Sequence, residues 1–192
     1  MPIISSKASM SAQAYGLFGV TAVPYGPSGA YDALATVTVP SGGASSITFS
    51  AIPQTGYSHL EIRGILLPSA AAQGRIQFNG DTGTNYSIHS LYGNGSTAGA
   101  QGDLNDNAIF FSRGNSMSNS YPNAFIGNIL DYANIYKNKT MKMLNGADNN
   151  GSGNIYFDSG GWYNQSGINS ITIFPSSGSW NQYTQLSLFG IK

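Results

Sequence analysis

The sequence predicts an all-β protein, a jelly-roll-like antiparallel β-sandwich with an extended N-terminal arm. Three observations predict it. Short runs alternate apolar and polar residues with a period of two, which puts every second side chain on one face of a sheet. Clusters of Gly, Asn, Ser and Pro separate the runs, and these residues supply the backbone angles and local hydrogen bonds of turns. Gly, Ser and Asn contribute 25, 26 and 18 of the 192 residues. Finally, no segment repeats its apolar residues convincingly at helical spacing.

Residues 1–30 hold scattered hydrophobes among Ser, Ala, Gly and Pro with neither period. They read as the extended arm, and residues 31–192 as the sandwich. A segment with hydrophobes but no period cannot bury them or pair its backbone alone. Ile3, Ile4, Tyr15, Leu17 and Phe18 are therefore expected to be apolar contacts that anchor the arm to a partner surface, with an edge strand of its own sandwich as the alternative.

In the first strand, YDALATVTV from Tyr31, the alternation places Tyr31, Ala35, Val37 and Val39 on one face. A turn at Pro40–Gly43 predicts a hairpin that returns through SSITFSAI, with Ile47, Phe49 and Ala51 together. Next, YSHLEIRGILL points Leu60 and Ile62 inward and His59, Glu61 and Arg63 outward. RIQFN follows with Ile76 and Phe78 alternating, closed by Asn79-Gly80, the strongest short-range hairpin signal. TNYSIHSLY is a strand, Gly93–Asn107 reads as a long loop, and AIFF is a short strand. In PNAFIGNILDYANIY, Ala124, Ile126 and Leu130 oppose Phe125 and Ile129, and Gly127-Asn128 in mid-run favours strand over helix. KTMKML, NIYFD, INSITIF and TQLSLFGI complete ten or eleven strands.

Composition narrows the function. Charged residues are 8% of the chain, with eight basic and eight acidic groups and no run of either sign. The sustained positive field that nucleic acid or an anionic membrane surface needs is missing. There is no cysteine, which removes disulfides, thiolate chemistry and Cys-ligated metals. No apolar run has the length of a membrane span or a secretory core, so synthesis in a cytoplasm is expected. The low surface charge suits a molecule packed against copies or partners.

Candidate chemical groups are few. His59 and His89 lie 30 residues apart, neither with a carboxylate at metal-ligand spacing, and read as surface or subunit-contact histidines. Glycoside hydrolysis needs two placed carboxylates, but Glu61 is the single glutamate and its spacing from Arg63 suggests an ion pair. Asp103–Asn107 and Asp148–Ser152 gather oxygen ligands that calcium accepts, without the bidentate Glu of an EF-hand loop, and turns demand the same residues. YGNGSTAGAQG lacks the Gly-Lys-Ser/Thr ending of a phosphate cradle. Trp162, Tyr163 and Trp180, in turn-like segments, could serve carbohydrate or protein contacts or fill the core. No catalytic residue, metal site or cofactor is assigned.

The C-terminal stretch from LDYANIYKNK to the closing Leu-Phe-Gly-Ile-Lys resembles a virion structural module of tailed bacteriophages, notably those of aquatic and cyanobacterial hosts. TVTVPSGGASSITFSAIPQTGYSHLEIRG and RIQFNGDTGTNYSIHSLYG resemble the same module, so the likeness runs from about Tyr31 to Lys192. Its most specific pieces are Ile-Pro-Gln-Thr at 52–55 and Phe-Asn-Gly-Asp at 78–81. The resemblance implies a non-enzymatic protein on the exterior of the phage particle, assembled with itself as a homotrimer and bound to the major capsid protein or a tail protein. A capsid decoration (cement) protein is the favoured role, because the sequence has no coiled-coil heptads or shaft repeat. A tail fibre or receptor-binding adhesin is the alternative, and a carbohydrate-binding or hydrolytic enzyme the third.

Overall fold

The computed structural model describes residues 30–192 apart from Asn115. The expected arm, with Ile3, Ile4, Tyr15, Leu17 and Phe18, lies outside the described residues. Among the described residues twelve strands are formed: β1 Tyr31–Thr38, β2 Ile47–Phe49, β3 His59–Leu66, β4 Gly74–Phe78, β5 Tyr86–Gly93, β6 Ala98–Asp106, β7 Ile109–Phe111, β8 Asn123–Leu130, β9 Lys139–Asp148, β10 Gly153–Trp162, β11 Ile171–Pro175 and β12 Gln185–Ile191. They build two antiparallel sheets, one of eight strands in the order β1-β12-β3-β8-β9-β10-β5-β6 and one of four in the order β2-β11-β4-β7. Because alternate residues project to opposite faces, the inner positions of both sheets meet in one core. The larger sheet contributes Leu60, Ile62, Ile129, Met141 and Leu188, and the smaller contributes Ile47, Phe49, Ile76, Phe78 and Ile173. The chain is a β-sandwich, as the period-two pattern predicts.

Alternation places most strands correctly and pairs some of them wrongly. β1 and β2 do not form the expected hairpin, since β1 pairs with β12 in the large sheet and β2 with β11 in the small one. A bulge between Ala33 and Ala35 also splits the expected face of β1. Val39 is buried while Tyr31 stays half exposed. Ala51 likewise leaves the face of Ile47 and Phe49, with a positive φ of 53°. Asn79 and Gly80 do adopt positive φ, 54° and 67°, and Asp81 N donates to Phe78 O at 2.9 Å. The turn forms, yet the chain then crosses to the other sheet, because β4 pairs with β11 and β7. The expected long loop after Gly93 is instead β6, which pairs with β5. Its Ala, Gly, Gln and Asn residues lack an apolar alternation because an edge strand needs only backbone partners on one side.

Close approach sets the sequence at Gly64. A Cβ there would sit 1.9 Å from the Gln185 carbonyl oxygen, so only glycine lets β3 and β12 meet at this point. Trp162 and Trp180 fill the core, one of the two roles expected of them. Trp162 stacks on Tyr86 with ring centroids 6.3 Å apart and tilts against Phe78 at 5.6 Å. Its indole N–H donates to Asp81 Oδ2 at 2.8 Å. The Trp180 indole donates to the Ile173 carbonyl at 3.1 Å, and its backbone bridges to Ala44.

Among the described residues, Lys139 and Asp158 carry charged groups into the interior. Lys139 is buried beside its cross-strand partner Trp162, and its ammonium donates to the carbonyls of Asn134 (2.6 Å), Lys137 (2.7 Å) and Gln165 (3.1 Å). Asp158 is fully buried and accepts from Asn145 Nδ2 at 2.6 Å, while the Ser112 hydroxyl donates to Asn145 Oδ1 at 2.6 Å. Burial pushes the Asp158 carboxyl above its ordinary range, outweighing the opposing pull of Ser90, Asn145, Arg113 and the Ser112 backbone. A raised carboxyl binds its proton more tightly folded than unfolded, so its contribution is complete below the unfolded pKa and fades as pH rises through the folded value. Asp158→Asn keeps the shape without the charge. The variant should be more stable than the wild type at neutral pH, by roughly 1–3 kcal/mol, and the difference should shrink towards pH 4. Urea melts of both proteins between pH 4 and 8 measure it, and a constant difference would assign the effect to packing.

Candidate assembly face

The two outer faces of the sandwich differ in chemistry. The smaller sheet shows Thr48, Thr172, Gln77 and Arg75, with Thr48 and Thr172 hydroxyls 3.1 Å apart. That is an ordinary hydrated face. The larger sheet exposes large apolar side chains at its centre, where the sequence alternation of β8, β9, β10 and β5 sends hydrophobes outward as well as inward.

Register fixes their arrangement. Ile126 on β8 pairs with Leu144 on β9, Leu144 with Phe157 on β10, and Phe157 with Leu91 on β5. Exposure of these four ranges from 39% for Ile126 to 60% for Leu91, so they form a continuous apolar ridge across four strands. Two residues along each strand runs a second row, Ala124, Gly146, Ile155 and Gly93. Its small residues make a trough beside the ridge. The turns at 94–97 and 148–152 wall its end, enclosing a groove of about 580 Å³. Asn94 Oδ1 accepts from the backbone of Ser96 and Thr97 (3.1 and 2.8 Å), and Asp148 Oδ1 accepts from Asn150 N at 2.9 Å, so both turns are tied down internally.

Charge is sparse on this face. Glu61 and Arg63 form the ion pair that their spacing predicts. Tyr31 OH donates to Glu61 at 3.3 Å, and the Arg63 guanidinium lies over the Tyr31 and Phe189 rings at 5.5 and 5.9 Å. That cluster seals the flank of the face towards β1 and leaves Glu61 only 3% exposed. Lys142 stands on the row next to the ridge, in register with Asn128 and Ser159.

Most of the remaining candidates have structural partners. His59 Nδ1 accepts from the Asp131 backbone N–H at 3.0 Å, and Lys137 donates to the Asp131 carboxylate at 2.8 Å, which holds that carboxyl below its usual range. His89 is exposed on β5 opposite Gly102 and Ser159. The two oxygen-rich segments are not paired with each other. Asp103 forms an ion pair with Arg113, and Asp106 sits on β6 with its carboxyl raised by burial. Asp148 serves its own turn.

The contacts expected from the sequence lie in the arm, and the ridge is not among them. Its signal lay in Leu144, Phe157 and Ile155, apolar residues on the polar phase of strands whose other phase already fills the core.

No protein-family model matches the chain, and no curated protein matches it. Among solved structures it is similar to the galectin LEC-6 of Caenorhabditis elegans, at 11% sequence identity and a TM-score of 0.34, over 80% of this chain and 94% of that one.

Proposed function

We propose that the chain is a non-enzymatic structural protein of a bacteriophage virion, a capsid decoration protein that binds and stabilises the outer capsid surface. The observation that carries the assembly role is the apolar ridge and trough on the outer face of the larger sheet. Contiguous exposed apolar surface with few charges is what protein–protein contacts use. Catalysis would instead ask for a nucleophile, a base and an orienting group converging in a cleft. The virion setting rests on the resemblance of residues 31–192 to phage structural modules, and attachment to the capsid falls to the arm residues Ile3, Ile4, Tyr15, Leu17 and Phe18.

Copy number tests the placement. Electrophoresis of purified particles against the major capsid band should show hundreds of copies per virion, whereas a few tens or fewer would assign the protein to the tail. Deleting residues 2–28 should abolish binding to particles that lack the protein while the sandwich keeps its thermal midpoint. Retained binding with a lowered midpoint would make the arm an edge strand instead.

A further inference from the structure

We infer that the outer face of the eight-stranded sheet is the contact between two copies of this chain, packed face to face about a two-fold axis. The inference rests on reading that face as an assembly surface and not on the virion.

Shape argues for self-association. Ridge and trough run side by side, one residue to either side of the line through Phe125, Asn145, Tyr156 and Tyr92, which are themselves in register across β8, β9, β10 and β5. A two-fold axis lying in the contact plane along that line exchanges the two rows. The ridge of each copy then lies over the trough of the other, with Leu144 over Gly146, Leu91 over Gly93 and Ile126 over Ala124. Phe157 meets Ile155, the one large residue in the trough. Strands of the two copies run nearly aligned, as in packed sheets generally.

Charge argues for the same axis. Lys142 and Asp148 project from the same face of β9, three residues to either side of Asn145. The axis that seats the ridge in the trough therefore brings Lys142 of each copy opposite Asp148 of the other, twice over. No other placement of the axis is needed to satisfy the cation beside the ridge.

Area is sufficient. Six strands from β3 to β6 at about 4.8 Å spacing, and some 24 Å along the strands, give a footprint of roughly 700 Å². A stable interface covers about 800 Å² of accessible surface on each partner, and accessible surface exceeds its flat footprint. A single patch meeting itself gives a two-fold pair, whereas a ring needs two different patches. The geometry thus replaces the threefold symmetry that the resemblance implies with a dimer.

Sedimentation of the full chain at micromolar concentration is the test. The expected mass is twice 20.2 kDa. Leu144→Asp, at an exposed position, should give a monomer with an unchanged circular dichroism spectrum. Lys142→Asp and Asp148→Lys should each weaken the dimer at least tenfold, and the two together should restore it. A trimer, a dimer indifferent to Leu144→Asp, or singles that the double variant does not rescue would overturn the two-fold contact. A monomeric wild type would overturn it as well. If that monomer bound particles and Leu144→Asp abolished the binding, the face would dock on the virion and the assembly reading would stand. If binding were indifferent to Leu144→Asp, both would fall.

Discussion

Trp162→Ala is expected to cost about 3–5 kcal/mol, the range for emptying a large aromatic site in a packed core. The indole lies against Tyr86 and Phe78 and donates to Asp81, so its loss opens a cavity and removes one of the hydrogen bonds to that carboxylate at once. Trp162→Phe separates the two effects, keeping most of the volume and dropping the hydrogen bond. Burial pushes the Asp81 carboxyl up, but hydrogen bonds from Trp162, Asn85 and Gly83 more than reverse it, and the carboxyl ends below its ordinary range. A lowered carboxyl contributes stability that is complete above the unfolded pKa and lost as pH falls through the folded value. Trp162→Phe should therefore lose stability mainly above pH 4 and converge on the wild type under acid. Guanidinium melts at pH 7 and pH 3 give the comparison, and equal losses at both would leave the hydrogen bond without a role.

Lys139→Met carries the second large effect. Methionine retains an apolar stem alongside Trp162 and removes the ammonium that three carbonyls share. A charged hydrogen-bonding group removed from partly buried acceptors costs about 1–3 kcal/mol, and because the carbonyls are only partly buried and the buried ammonium carries its own desolvation cost, the expected loss lies in that range. The carbonyls of Asn134 and Lys137 belong to the β8–β9 connection and that of Gln165 to the segment after β10. Amide exchange should accelerate in 131–138 and 164–168 and stay slow in β9. Uniformly faster exchange would show that the lysine supports the whole sandwich and not these two loops.

The existence of most strands is legible in the sequence and their partnership is not. The alternation of Phe125 and Ile129 against Ala124, Ile126 and Leu130 identified β8 and its two faces correctly. Period two reports which residues share a face, however, and says nothing of which strand lies alongside. Asn79-Gly80 illustrates the gap, since the turn chemistry is local and was read correctly, while the destination of the chain after it is set by long-range packing. β6 was missed for a related reason. Its stability comes from backbone pairing with β5, and backbone groups are the same in every sequence.

The ridge is not legible in the sequence because outward Leu, Ile and Phe look like core residues when one partner sheet is assumed for every apolar side chain. Lys139 shows the converse. A lysine between Asn138 and Thr140 reads as solvated until three carbonyls from two separate segments converge on it, and no local pattern encodes that convergence.

The register of β1 on β12 places Tyr31 directly opposite Ile191. A pull that separates these two ends would load the hydrogen bonds of that ladder one at a time, starting at the Tyr31 rung, and peel β1 away like a zipper. The same ladder pulled along its length would have to break all of its bonds together. Tension between the segment before Tyr31 and anything joined after Ile191 therefore meets the sandwich along its weakest mechanical direction, while a load spread over the face of the sheet does not.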